Sequence, residues 1–181
     1  MKNTVTENTL LIHNSDKISV LSYWPIAGIY ALSALLALYT VQFHMYPDYM
    51  SHWMGFVLLG FGLIKLFDVV GFAKSFAMYD PLAKRSMTYA QVYPFIEIAL
   101  GIMFILQIFI LPVTLVTLFI YGVSLYGAVQ SLRKKESLHC VCLGTYFKLP
   151  LSTVTIIEAS FMIGMCVWML LMIKTMTNMV M

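Results

Sequence analysis

No Asp, Glu, Lys or Arg occurs from Ile18 to Pro47, or from Ile98 to Leu132. Shorter charge-free runs extend from Tyr49 to Ile64 and from Ala159 to Ile173. Only 10% of the 181 residues are charged and 61% are hydrophobic. A soluble domain carries about 25% charged residues. Eleven basic and eight acidic side chains cannot cover a globule of this size. An ordinary soluble enzyme, a disordered tail and a nucleic-acid binder are therefore excluded, which leaves an integral membrane protein.

A helix that crosses a hydrocarbon core of about 30 Å needs about 20 mostly apolar residues. Five spans are predicted, at about Tyr23–His44, Trp53–Val70, Tyr89–Leu111, Pro112–Leu132 and Thr153–Ile173. The run from Ile98 to Leu132 must be split, because one helix of that length would reach about 52 Å. Leu111-Pro112 is the expected break, since proline lacks a helix donor and suits a first turn. No stretch alternates polar and apolar residues as a membrane β-barrel requires. The predicted class is thus an all-α polytopic bundle. Residues 1–22 form a polar lead-in, 23–44 an extra helix, 53–173 a four-helix core and 174–181 a tail. The lead-in holds Glu7, Asn8, Asn14, Ser15 and Asp16 and does not read as a secretory signal.

With five spans, the N-terminus and the 71–88 and 133–152 connections share one side. That side carries Lys2, Lys17, Lys74, Lys84, Arg85, Arg133, Lys134, Lys135 and Lys148, whereas the other has Lys174 alone. The positive-inside bias places the N-terminus in the cytoplasm of a bacterial-type inner membrane and the C-terminus outside.

The segment with reactive chemistry is Ser137-Leu138-His139-Cys140-Val141-Cys142-Leu143-Gly144-Thr145. Two thiols one residue apart beside a histidine form a compact soft-donor group. Thiolates bind copper(I), zinc or mercury, and they are also the nucleophiles of disulfide exchange. A disulfide across one residue closes a strained ring that exchanges readily. Small apolar packing, the usual role of a free cysteine, fits Cys166 in mid-span better than this polar segment.

Lys65, Glu97 and Glu158 fall inside spans, where a charged side chain is costly and a functional candidate by default. Counting residues from the span ends puts all three about 8–12 Å below the surface that carries Cys140 and Cys142. Two readings stand. One is a polar pocket under the cysteines, with Glu97 or Glu158 as proton acceptor or metal counter-charge. The other is a structural Lys65–Glu97 bridge. Asp68 lies one turn from Lys65, within reach of an i,i+3 pair.

The outer side collects His44, Met45, Met50, His52 and Met54, and later Met169, Met172, Met176, Met179 and Met181. Such donors suit copper. A membrane chain with 14 Met uses most of them for packing and lipid contact. Gly55, Gly60, Gly62, Gly71, Gly122, Ser124 and Gly127 would allow close helix contact. Trp24, Trp53 and Tyr89 read as interfacial anchors. No Ser-His-Asp set, zinc-hydrolase motif or phosphate loop is present.

The run Lys65-Leu66-Phe67-Asp68 with Gly71-Phe72-Ala73, Phe76, Tyr79-Asp80 and Ala83-Lys84-Arg85 resembles the methylamine-utilisation MauE / DoxX-like family of redox-associated membrane proteins. So do Tyr93-Pro94-Phe95-Ile96-Glu97, Cys140-Val141-Cys142-Leu143-Gly144-Thr145 and Leu149-Pro150-Leu151-Ser152-Thr153-Val154-Thr155 with Glu158. The likeness covers about Trp53–Leu171, and Tyr23–Gly28 resembles the extra first helix of a subgroup. In that subgroup a metal-binding or glutaredoxin-like domain can precede the membrane part, and 22 residues are too few for one. The resemblance implies a compact membrane bundle associated with making the methylamine dehydrogenase light chain, which needs many disulfides. Cys140 and Cys142 would be its redox pair. Glu97 and Glu158 match family-typical positions. The family often has a second acidic residue where this chain has Ala159.

Three functions compete on this evidence. A thiol–disulfide protein would use Cys140 and Cys142 against a disulfide partner, with Glu97 and Glu158 as candidate proton acceptors. A soft-metal handler would pass copper or mercury through Cys140, Cys142 and His139, in exchange with a metallochaperone. A non-catalytic assembly factor would not need the cysteines. Membrane lipid is the expected surrounding in each case. A quinone fits a helical bundle but has no signal here, and neither do haem, flavin or nucleotide.

Overall fold

The computed structural model describes residues 24–42, 49–133 and 151–180. Seven helices and no strand occur among them: α1 Trp24–Val41, α2 Tyr49–Leu66, α3 Val69–Phe76, α4 Pro81–Arg85, α5 Met87–Ile105, α6 Ile110–Arg133 and α7 Leu151–Val180. Four of these, α2, α5, α6 and α7, are long and apolar enough to cross a membrane. The apolar part of α1, Trp24–Thr40, is shorter. At 1.5 Å per residue the 18 residues of α1 reach about 27 Å, just under the hydrocarbon thickness. Leu35, Phe95, Phe119, Tyr126, Trp168 and Leu171 are each more than half exposed. Such a surface would aggregate in water and suits lipid.

The bundle is built from two helix pairs, α2 with α5 and α6 with α7. Lipid tails are as apolar as the side chains, so close packing has to replace the hydrophobic drive between such helices. Glycine makes this possible on the first pair. A Cβ on Gly55 would lie 2.7 Å from the Gly101 carbonyl, and one on Gly101 would lie 2.9 Å from the Gly55 carbonyl. Gly62 likewise faces Ile98 and the Pro94 carbonyl. Gly60 admits Ile29 of α1, whose Tyr30 packs edge-on against Phe61 and Phe161. Gly122 departs from the expectation of close contact: nothing lies within 4 Å of its would-be Cβ. It lines an open groove with Pro81, Leu118, Phe119, Val123 and Tyr126.

Several span boundaries move from their expected places, and α7 runs on through residues 174–180, expected as a tail, to Val180. The second span starts four residues earlier, at Tyr49, and stops at Leu66. Asp68 then caps a new helix through a hydrogen bond from the Gly71 amide, which ends the run before Val70. The α5–α6 break comes at residues 106–109, not at Leu111-Pro112. Gln107 (φ 54°) turns left-handed, its amide donates to the Phe104 carbonyl and the Ile108 amide donates to the Met103 carbonyl. This pair of bonds is a Schellman closure, which satisfies the last carbonyls of α5. Pro112 keeps its expected role as third residue of α6.

The 71–88 connection is itself helical. Asp80 accepts from the Leu82 and Ala83 amides at 2.9 Å and starts α4 with Pro81 in its first turn. Its other oxygen accepts from Ser124 of α6 at 2.8 Å. Gly127, one turn further on α6, leaves room for the Tyr79 carbonyl. The α3–α4 segment therefore packs on α5 and is fixed to α6. Trp53, near the start of α2, is half-buried, reaches the Tyr30 carbonyl at 3.4 Å and stacks edge-on with Phe161.

Candidate functional site: a buried charge cluster

Each of the four long helices contributes one residue to a polar cluster inside the bundle. Lys65 comes from the last turn of α2, where a cation also faces the carbonyl end of the helix dipole. Glu97 comes from α5, one turn after Pro94, and Tyr121 from α6. Glu158 lies seven residues into α7. Lys65, Glu97, Tyr121 and Glu158 are 9%, 1%, 1% and 2% exposed. The Lys65 ammonium donates to Glu97 Oε1 at 2.5 Å and to Glu158 Oε1 and Oε2 at 3.0 and 3.1 Å. The Tyr121 hydroxyl lies 2.8 Å from Glu97 Oε1 and 2.9 Å from Glu158 Oε1.

The surroundings suit a cation. Lys65 Nζ lies 5.3–5.9 Å from the ring centroids of Phe61, Phe72 and Tyr93. At that range the ring faces add cation–π attraction. Phe72 and Phe76 of α3, with Tyr93 and Tyr89 of α5, form an aromatic layer over the end of α2. This layer explains how Lys65 can be the penultimate residue of its helix and still be buried. Counting from the span ends puts the three charges at one level. They do meet, though Glu97 is ten residues into α5, because α3 and α4 extend the bundle past the end of α2.

The Lys65–Glu97 bridge of the second reading therefore exists, and Glu158 joins it. The Lys65–Asp68 pair does not form. Asp68 is exposed and caps α3, while the Lys65 ammonium contacts both glutamates. Tyr121 was missed from the sequence, where it is one uncharged residue in a charge-free span. Its signal was positional, since Ser124 and Gly127 follow on the same helical face and both meet the α3–α4 segment.

His139, Cys140 and Cys142 lie outside the described residues, as do His44 and Met45. Cys166 is a buried free thiol, as expected for packing. His52, Met54 and Met169 are buried within the bundle rather than displayed on an outer loop. Among the described residues no group of three His, Cys, Asp or Glu side chains converges as a metal site.

Four apolar helices closed around an ion-paired core define a multi-pass membrane protein of the helical-bundle class. The chain belongs to the family of methylamine utilisation protein MauE, whose family pattern matches residues 44–172. The match includes all four cluster residues and the 134–150 segment with its cysteines. It begins after α1. No curated protein and no solved structure matches significantly.

Proposed function

We propose that this membrane protein acts in thiol–disulfide exchange, serving the maturation of a disulfide-rich partner in a methylamine-utilisation setting. Cys140 and Cys142 are the exchanging pair. The thiolate of one attacks a partner disulfide, forming a mixed disulfide and releasing one partner thiol. The second cysteine then attacks the mixed bond, leaving a Cys140–Cys142 disulfide and a reduced partner. The reverse sequence oxidises a partner dithiol. Electrons balance between the two pairs within each exchange, and a second dithiol or disulfide partner must restore the Cys140–Cys142 pair before the next one.

The observation that carries this reading is the position of the pair in the sequence that joins α6 to α7. Those two helices supply Tyr121 and Glu158 to the buried cluster. A Cys-x-Cys in the polar sequence between two spans suits exchange with a partner at the membrane surface. Lys/Arg placement favours the cytoplasmic face for this segment, where thiols are kept reduced, so the pair would act there as the reductant of a partner disulfide.

A Cys142→Ser or Cys140→Ser variant should accumulate a covalent, reductant-sensitive complex with its partner in membranes. The Cys140→Ser/Cys142→Ser double variant should lose both the complex and the activity. Full activity in the double variant would contradict the proposal. The same donors support a second reading, soft-metal transfer by His139, Cys140 and Cys142. Stoichiometric copper(I) binding that the double variant loses, without any mixed disulfide in the single variants, would favour that reading.

A further inference from the structure

The cluster has one hydrogen too few at Tyr121. Lys65 serves both glutamates, with Glu158 Oε1 and Oε2 sharing one ammonium hydrogen, whereas the Tyr121 hydroxyl faces a carboxyl oxygen of each glutamate. A phenol supplies one hydrogen. Tyr121 sits within hydrogen-bond distance of a carboxyl oxygen on both sides, and its single hydrogen can serve one of them. If both glutamates were ionised, the other contact would set two bare acceptors against each other in an apolar interior. The charges lead to the same conclusion. One Lys and two carboxylates sum to −1, and a net buried charge is costly in a bilayer.

We propose that the cluster is a binding site for one proton, held as a carboxylic acid on Glu97 and donated to the Tyr121 oxygen, with Glu158 as the carboxylate partner of Lys65. The assignment to Glu97 follows from its second oxygen. Glu97 Oε2 is buried and has no hydrogen-bond partner. An orphaned oxygen is tolerable as the carbonyl of a neutral acid and costly as half of a carboxylate. Glu158, by contrast, has both oxygens bonded to the ammonium. In this arrangement Tyr121 accepts from Glu97 and donates to Glu158, and no two bare acceptors face each other. The other ionisable groups that feel the cluster are Tyr30 on α1 and Tyr89 and Tyr93 on α5. Asp80 beside them is already satisfied by two amides and Ser124. The site would hold its proton with or without thiol exchange at Cys140 and Cys142.

Infrared spectroscopy of the full chain in an ester-free detergent tests this directly. At neutral pH, where exposed carboxyls are ionised, the folded protein should show one carboxylic-acid carbonyl band. Isotope-labelled glutamate should shift it, which separates Glu97 from Asp80. Glu97→Gln should abolish the band and keep the melting temperature near that of the parent, because an amide reproduces both the donor and the acceptor of the acid. Glu158→Gln should also abolish it, since Glu97 must then ionise against Lys65, and should lower the melting temperature by more. The proposal is overturned by a folded parent protein with no such band, by a band that labelled glutamate leaves in place, or by Glu97→Gln proving the less stable variant. The labelled parent spectrum decides whether a glutamate holds the proton even if a variant fails to fold.

Discussion

Replacing Lys65 by Met removes the cation that Glu97 and Glu158 share, and its cost can be worked from the contacts. Three ammonium contacts are lost, at 2.5, 3.0 and 3.1 Å. Polar contacts between membrane helices are worth about 0.6 kcal/mol on average and about 1.7 at most. Three of them give about 2–5 kcal/mol, which overlaps the about 3–5 kcal/mol for removing one partner of a buried ion pair. Proton uptake by Glu158 would bring the loss towards the lower end. The folding equilibrium should fall by between about 30-fold and about 4,000-fold. Replacing the whole set, Lys65→Met with Glu97→Gln and Glu158→Gln, should recover at least half of the loss, because no buried charge then lacks a partner. Unfolding in mixed micelles, followed by tryptophan fluorescence, measures both, since Trp53 packs against Phe161 inside the bundle. A Lys65→Met protein as stable as its parent would refute the reasoning. So would a triple variant that is worse than Lys65→Met alone.

Four further outcomes follow from the packing and the caps. Gly55→Val should destabilise by about 1–3 kcal/mol, the usual cost of overpacking, because its Cβ would fall 2.7 Å from the Gly101 carbonyl. Gly122→Ala, with open space around it, should be neutral or gain up to about 1 kcal/mol in the same unfolding assay. Gln107→Gly should stabilise by about 0.5–1 kcal/mol, since the left-handed conformation at φ 54° costs an ordinary residue about 1–2 kcal/mol and glycine little. Asp80→Ala should cost about 0.5–2 kcal/mol through the lost α4 cap, and hydrogen exchange should show faster opening of 81–85 than in the parent.

The polar core was legible because charge is expensive in a membrane. Lys65, Glu97 and Glu158 stood out against charge-free runs, and the structure brings the three together. Tyr121 did not stand out, since a phenol in a span carries no charge penalty and has ten other tyrosines for company. The short helices α3 and α4 were invisible to span-length reasoning. Their signals were local: Asp68 ahead of Val69, and Asp80-Pro81 with an acceptor side chain before a proline. The α5–α6 break was misplaced because proline is a visible helix breaker, whereas a left-handed glutamine has no sequence mark. Proline in a first turn does not end the preceding helix, and Gln107 does.

The thiol proposal is tested most directly by a redox titration of the full-length protein in membranes. Cys140 and Cys142 would be followed by the mass added on alkylation, with buried Cys166 as the internal control. The account predicts that Cys140 and Cys142 convert together, as one two-electron couple, while Cys166 stays a thiol throughout. Cys140 and Cys142 remaining free thiols across the whole range, or oxidising independently of each other, would contradict it.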